Sequence, residues 1–192
     1  MRIQNAVLAI AITAGAARAD DRTTLQIEVD PFPFATGRYG VQLGARVPAL
    51  RGVRISIAQF SLDVPDGLAA ALYGEGTHVD VRPGSGAIYA LYYFRDAGAD
   101  GFTVGASLRF LRIESTHDDA AGTIHLTELS PELIAGYQWH PFHNGFYVQP
   151  WVALGVTAYS SGSTTYGTSS VTFDEPPVSP FFTVNLGYEH TL

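Results

Sequence analysis

Several residue types are missing or scarce in this sequence. The chain of 192 residues contains no cysteine, so it folds without disulfides, and a domain of this size buries enough surface to do so. Lysine is absent as well, and every basic side chain is arginine. The solvent face of a soluble β-barrel ordinarily carries lysine, so this absence argues against one. The formal charge of −7 argues against a nucleic-acid partner, which requires a basic surface.

Long hydrophobic runs are also scarce. The one pronounced apolar run extends from Ala6 to Ala14, which is shorter than the roughly 20 residues that a membrane-spanning helix needs. It follows Met1-Arg2 and precedes the A-x-A sequence at 17–19, an arrangement typical of a secretory signal peptide. The sequence therefore predicts a cleaved signal over residues 1–19 and a mature domain over residues 20–192.

The sequence is rich in alternation of apolar and polar residues with a period of two. Apolar residues from Phe102 to Phe110 alternate with Thr103, Gly105, Ser107 and Arg109, and similar patterns cover 39–47, 146–157 and 182–189. A strand places alternate residues on opposite faces, whereas a helix would scatter them. The pattern predicts eight strands, at about 22–30, 37–47, 51–62, 78–95, 101–114, 123–140, 145–159 and 180–191.

Only helices and closed barrels satisfy every backbone polar group inside lipid. Because no spanning helix is predicted, a membrane location requires an all-β fold, an antiparallel up-and-down transmembrane β-barrel of about eight strands. Three local features refine this prediction. The hydrophobic pattern changes parity between Leu126 and Leu129, which predicts a bulge in the sixth strand. Pro83-Gly84 predicts another bulge in the fourth. Residues 66–73 predict a short loop helix capped by Asp66.

The predicted connections fall into two sets. Three are compact, at 48–51, 96–100 and 141–144, and three are long, at 63–77, 115–122 and 160–179; residues 31–36 form a short member of the second set. Outer-membrane barrels have short periplasmic turns and longer external loops. The alternation of the two sets therefore predicts that both termini lie on the periplasmic side.

Aromatic residues mark the strand ends that flank the compact turns. Phe94 and Phe102 flank one turn, Trp139 and Phe142 precede another, and Phe146 follows it. This arrangement is typical of the aromatic girdle at a membrane interface. A periplasmic or secreted barrel with its apolar face turned inward is the alternative.

The signal sequence, the eight alternating strands and the long loops together resemble the small outer-membrane barrels of the OmpA, OmpX and OmpW type. The final strand, with Phe182, Val184, Leu186 and Tyr188 on one face, fits the terminal signal of that class. The resemblance implies a location in the outer membrane of a Gram-negative cell envelope. It also implies contact with outer-membrane lipids and lipopolysaccharide, assembly by the barrel insertion machinery, and a monomeric state.

The charged residues of the polar face are the candidate functional residues. A charge that faces a narrow lumen is costly unless it is paired, and an eight-stranded barrel has room only for side chains. We expect a paired polar plug; a gated pore is the alternative. Glu28 and Asp30 should pair with arginines of the second strand, and Arg109 with Glu128 or Glu132. The predicted interior network comprises Glu28, Asp30, Arg38, Arg46, Arg54, Arg95, Arg109, Glu128, Glu132 and Glu189.

Three further motifs contain residue types that occur in metal or catalytic sites. His140 and His143 lie in a predicted turn without an evident third metal ligand, and His117-Asp118-Asp119 lacks the spacing of a calcium loop, so we expect both to be solvated. The stretch His125-Leu126-Thr127-Glu128 lacks the serine of a lipid A deacylase. No cofactor or catalytic residue is predicted. We expect a structural or surface-interaction protein; the alternatives are a narrow channel or carrier and, third, a lipid-modifying enzyme.

Overall fold

A computed structural model describes residues 22–50, 52–174, 176 and 178–192 of the chain. The predicted signal peptide at 1–19 lies outside the described residues. Within the described part, no helix is both long enough and apolar enough to cross a membrane.

The described chain forms one antiparallel sheet that closes on itself. Its order is β5-β4-β3-β2-β1-β9-β7-β6-β8, and the pairing of β5 with β6 completes the ring. Because β7 and β8 both pair with β6, they together occupy one strand position in the ring. We call each such position a stave, and the barrel has eight staves. The predicted fold class is confirmed. The strands are β1 (Thr24–Val29), β2 (Tyr39–Arg46), β3 (Val53–Val64), β4 (Thr77–Tyr93), β5 (Gly101–His117), β6 (Ala120–Gln138), β7 (Phe146–Gly155), β8 (Tyr159–Gly162) and β9 (Ser179–Thr191).

Two α-helices lie in the loops at one end of the barrel, here called the loop end; the compact turns define the turn end. Helix α1 (Pro31–Phe34) is capped by Asp30, whose Oδ1 accepts a hydrogen bond from the Phe32 amide at 3.0 Å. Helix α2 (Asp66–Tyr73) confirms the predicted loop helix. The predicted cap is wrong, because the N-cap is Pro65 and no side chain caps this helix. A 3₁₀ turn (Pro48–Leu50) joins β2 to β3.

Bulges interrupt the ladder at one level of the barrel. The register between β4 and β5 shifts between Val81 and Gly86, which confirms the bulge predicted at Pro83-Gly84. The bulge predicted in the sixth strand is wrong, because β6 keeps its register with β5 from Ile124 to Gln138. The irregularity lies in the neighbouring stave, where the three residues 156–158 face two residues of β6. One of those two is Pro131, which has no N–H for the ladder.

The two faces of the barrel wall exchange polarity at this level. On β5 the outward residues from Phe102 to Phe110 are apolar, but the outward residues beyond them are Arg112, Glu114 and Thr116. The inward residues change in the opposite sense, from Ser107 and Arg109 to Leu111 and Ile113. Strand β6 behaves in the same way. The hydrophobic residues of β6 therefore lie on the outer face in one half and on the inner face in the other, although the strand geometry does not change. This exchange explains why the sequence pattern wrongly predicted a bulge.

The outward apolar residues form a continuous band around the turn-end half of the barrel. Nine residues of β5 cover the band, and at a rise of about 3.3 Å they extend about 26 Å along the strand. A strand tilt of about 40° reduces the height to about 20 Å, close to the apolar band of outer-membrane barrels. Aromatic pairs border it at the turn end: Tyr92–Phe94, Phe102–Tyr137 and Phe142–Phe146, with ring centroids 5.0, 5.1 and 5.8 Å apart.

The band makes a prediction for one face of one strand. Leu108→Arg places a charge among apolar outward residues, and we expect it to lower the free energy of unfolding in lipid vesicles by about 2–4 kcal/mol. Thr116→Arg, on the same face of β5 but beyond the band, should change it by less than about 0.5 kcal/mol. Urea unfolding in vesicles measures both. Equal losses for the two variants would show that the band does not face lipid.

Candidate functional site in the barrel interior

The centre of the lumen is occupied by an ion pair between Glu28 of β1 and Arg54 of β3. Both side chains are 1% exposed, and the Arg54 Nη1 atom donates to Glu28 Oε1. The carboxylate accepts two further hydrogen bonds, from Tyr147 Oη at 2.6 Å and from Asn185 Nδ2 at 2.9 Å. These donors come from β7 and β9, so strands on opposite sides of the barrel converge on one carboxylate.

Arg54 makes further contacts across the lumen. Its Nη1 atom donates to Gln26 Oε1 at 2.8 Å, and its Nη2 atom lies 3.5 Å from Gln149 Oε1. The guanidinium carbon lies 5.1 Å from the centre of the Tyr93 ring, within the range of a cation–π interaction. Arg54, Tyr147 and Gln149 are fully buried. This layer of side chains, here called the central plug, closes the lumen.

Two interior glycines make room for the central plug. A Cβ atom on Gly44 would lie 2.6 Å from Ser56 Oγ and 3.0 Å from the Cδ atom of Arg54. A Cβ atom on Gly187 would collide with the ring of Tyr147. These two glycines therefore leave space for the large inward side chains of the neighbouring strands, Arg54 on β3 and Tyr147 on β7.

At the turn end the plug continues through Glu189 of β9. Its carboxylate accepts a hydrogen bond from Gln26 Nε2 at 2.6 Å and lies 3.1 Å from His140 Nε2. His140 is 1% exposed and its backbone amide donates to Asp100. The prediction that both turn histidines are solvated is therefore wrong for His140, whereas His143 is exposed. His140 shares the inward parity of Glu132 and Gln138, and this parity is the signal that would have identified it.

Toward the loop end, Glu132 of β6 faces Arg109 of β5. The Arg109 Nε atom lies 3.0 Å from Glu132 Oε1, but neither atom has an aligned hydrogen-bond partner, so the contact is an ion pair only. The other carboxylate oxygen accepts from Ser107 Oγ at 2.6 Å. The structure thus places Arg109 beside Glu132, as the strand order predicts. Glu128, four positions back along β6, is also buried.

The expected pairing of Glu28 and Asp30 with the second strand is wrong. In the β1–β2 register Glu28 faces Gln42, and Arg46 lies four positions away opposite Thr24. Arg46 instead lies over the Tyr93 ring, 4.2 Å from its centre. The Asp30 carboxylate accepts a hydrogen bond from Thr183 Oγ1 at 2.8 Å rather than from an arginine.

Two arginines predicted for the lumen lie outside it. Arg95 follows the end of β4 and is exposed in the compact turn. Arg38 precedes β2 at the loop end, where its Nη2 atom lies 2.7 Å from both Asp63 and Asp80. Both carboxylates point outward, because the wall has already exchanged polarity at that level. Each arginine lies just beyond the end of its strand, so the alternation of residues no longer determines whether its side chain faces the lumen.

The outward carboxylates belong to a row of charges that the sequence did not reveal. Asp80 pairs in register with Asp63 on one side and with Glu114 on the other, and Glu114 pairs with His125. Arg82 lies 3.0 Å from Asp80 and 3.5 Å from Glu114. These residues follow the barrel wall just beyond the apolar band.

Above the central plug, the interior widens into a cavity of about 130 Å³, here called the loop-end cavity. Its wall is apolar, and its floor is polar. The residues Tyr89, Trp151 and Phe181 stand together beside the floor: the Tyr89 and Trp151 ring centroids are 6.1 Å apart, and those of Trp151 and Phe181 5.3 Å apart. The wall includes Phe60, Leu62, Val81, Leu111 and Ile113, and the floor includes Glu28, Asp30, Arg109, Glu128 and Glu132.

Within the described residues, the side chains of the remaining motifs lie in the loops and on opposite faces of the wall. Asp118 accepts a hydrogen bond from His78, and the His117 Nδ1 atom accepts one from the Asp119 amide. Groups of three or more metal-binding side chains are absent from the described part of the chain. His125 is exposed on the outer face, whereas Glu128 points into the lumen, so the two cannot share a proton.

The fold matches that of known outer-membrane barrels. No protein-family model and no curated protein sequence matches the chain. The N-terminal β-barrel domain of Pseudomonas aeruginosa OprF is similar in structure, with a TM-score of 0.51 and 13% identity over 91% of this chain and 100% of that domain. A major outer membrane protein from Thermus thermophilus aligns with a TM-score of 0.47 and 12% identity over 88% and 98% of the two chains. The predicted resemblance is confirmed at the level of the fold.

The Arg109–Glu132 contact predicts non-additive substitutions. Arg109→Ala and Glu132→Ala should each lower the free energy of unfolding, because each leaves a buried charge without its partner. The double variant should lose less than the sum, by about 0.5–3 kcal/mol. Arg109→Ala combined with Glu114→Ala, which removes an outward carboxylate, should be additive within about 0.5 kcal/mol. Additivity in both cycles, measured by urea unfolding, would contradict the pair.

His78 predicts a pH-dependent contact between two loops. Its Nδ1 atom lies 2.9 Å from Asp66 at the start of α2, and its Nε2 atom lies 3.1 Å from Asp118. These hydrogen bonds, the one with Asp66 above all, raise the pKa of the imidazole. The contact is therefore fully present below the ordinary histidine pKa of about 6.5 and is lost as the pH rises through the raised value.

We expect the amides of α2 to lose protection over that pH range in NMR hydrogen-exchange measurements corrected for intrinsic rates. His78→Gln should abolish the step, and His143→Gln, at the exposed turn at the opposite end, should preserve it. A step that survives in His78→Gln would assign the pH dependence to another group.

Proposed function

We propose that this protein is a closed outer-membrane barrel that stabilises the envelope and presents its loops to surface partners. The observation that carries this proposal is the central plug. Arg54 lies in the middle of the lumen, and its contacts with Glu28, Gln26 and Gln149 reach both sides of the barrel. A pathway for ions would have to separate a buried ion pair, which typically costs about 3–5 kcal/mol.

The apolar band and the aromatic border support the location. In this proposal the turn end lies in the periplasm and the loop end faces the outside, since external loops are the longer ones in such barrels. The outward row of charges around Asp80 then lies at the level of the lipid head groups. Arginine and carboxylate side chains are suitable partners there for the phosphates and divalent cations of lipopolysaccharide.

A narrow channel is the second candidate, and the loop-end cavity is the observation that favours it. The cavity opens the interior from the loop end down to Glu28, so only the central plug and the Glu189 layer below it separate the two sides. Channel activity would require the Arg54 side chain to move. An enzymatic role has no such support, because His125 and Glu128 face opposite sides of the wall.

Planar-bilayer conductance tests the closed state. We expect the wild-type barrel, purified from the outer-membrane fraction, to show little steady conductance, because side chains fill its centre. Arg54→Ala should produce open events, since it removes the largest fully buried side chain of the plug. Gln149→Ala removes a neutral part of the same layer and should act in the same direction.

The matched control is Arg95→Ala, which removes an exposed arginine from a turn and should stay closed. Heat-dependent gel migration shows that each variant remains a folded barrel. A steady wild-type conductance equal to that of Arg54→Ala would contradict the closed barrel and favour the channel.

A further inference from the structure

The loop-end cavity combines features that a structural plug does not require. In the barrel's loop-end half most inward residues are apolar, and Leu62, Val81, Leu111 and Ile113 line an open space. Protein interiors are ordinarily packed without such voids. The volume of about 130 Å³ is close to that of an apolar protein cavity of about 150 Å³ that takes up benzene. The space therefore suits a molecule with one ring or a short alkyl chain.

Access to this cavity lies between the loops. Leu68 and Leu72 of α2 line it on one side and Pro176 lines it on another. Leu68 is 42% exposed although it belongs to an apolar lining, so the mouth presents hydrophobic surface to the outside. Exposed apolar surface around a concave opening is typical of ligand-binding sites.

The floor determines the charge of the ligand. Four carboxylates line the cavity, those of Glu28, Asp30, Glu128 and Glu132, and Arg109 is the one arginine among the described lining residues. Arg54 compensates Glu28 from below. Among the described lining residues, carboxylates therefore outnumber guanidinium groups, which favours a cation.

Two further observations point to an ammonium group. Glu132 is 4% exposed, and its Oε1 atom has no aligned hydrogen-bond donor. Tyr89, Trp151 and Phe181 line the same cavity as Glu132, and the faces of such rings attract cations. The Arg109 guanidinium already lies 5.8 Å from the centre of the Phe181 ring, so this ring accepts a positive group in this structure.

We infer that the loop-end cavity is a binding site for small lipophilic amines, with the ammonium group at Glu132 and the apolar part between the walls. The inference goes beyond the proposed function and does not depend on it, because the cavity lies above the central plug and would be occupied whether or not the barrel conducts.

The two tryptophans of the chain make the test direct. Trp151 lines the cavity, whereas Trp139 lies on the outer surface at the turn end. In a Trp139→Phe background all tryptophan emission comes from Trp151. The full chain in lipid nanodiscs is titrated with hexylamine, hexanol and hexanoate, which share one alkyl chain and differ in charge. We expect hexylamine to change the Trp151 emission in a saturable way. Hexanol should bind at least tenfold more weakly, and hexanoate should produce no saturable change in this emission.

Variants in the same background separate the cavity from the lipid. Val81→Phe fills the space and should abolish saturable hexylamine binding, whereas Ile88→Phe, on the outward face of the same strand, should not. Glu132→Gln should weaken the binding of hexylamine at least tenfold and leave the binding of hexanol unchanged. Urea unfolding confirms that each variant is folded. Unaltered hexylamine binding in Val81→Phe, or equal affinities for hexylamine and hexanol, would overturn the inference.

Discussion

Closure of the hydrogen-bond ladder is the constraint on which the rest of this structure depends. Strand β1 pairs with β2 on one edge and with β9 on the other, so the first and last strands of the barrel complete a ring in which no stave has a free edge along the apolar band. Lipid offers no hydrogen-bond partners, and an open edge at that depth would leave backbone groups unsatisfied. Closure at eight staves also fixes a narrow diameter. The narrow diameter forces side chains from opposite strands into contact, and the ion pair of Glu28 with Arg54 is the result.

Residues alternate between the two faces in both halves of the barrel wall, but the two halves have different surroundings. Strands β5 and β6 keep their register from the Gly101–Gln138 pair to the Ser115–Ile124 pair, yet the apolar residues lie outside in one half and inside in the other. The turn-end half therefore has the organisation of a membrane barrel, and the loop-end half has that of a soluble barrel with an apolar core. The bulges in β4 and in the β7–β8 stave lie at the boundary, where the strands pass from one environment to the other. Bulges bend and twist a sheet locally, which suits a wall that no longer follows the apolar band.

Most of the fold could be predicted from the sequence, because a period of two fixes which residues share a face. This rule placed Glu28, Arg54, Glu132 and Glu189 on one side of the wall. It failed where the strands end, at Arg38 and Arg95. For His140 the rule holds, and the error lies in treating this residue as part of the solvated turn. The rule also failed between Leu126 and Leu129, because hydrophobicity reports the surrounding medium as well as the geometry. The sequence pattern could not predict which side chains meet across the lumen. Glu28 contacts the third strand instead of the second, and this offset depends on the stagger of the closed barrel.

The two halves of the interior differ in how completely their buried carboxylates are hydrogen-bonded. In the central plug Glu28 accepts hydrogen bonds from an arginine, a tyrosine and an asparagine, so its oxygens are satisfied in place. At the floor of the loop-end cavity Glu132 contacts Arg109 without an aligned hydrogen bond, and an apolar space lies above it. A fully satisfied network favours one arrangement, and a partly satisfied one remains able to accept another donor. The plug is therefore suited to closing the barrel and the floor to binding, and the same narrow lumen provides both because they lie at different heights.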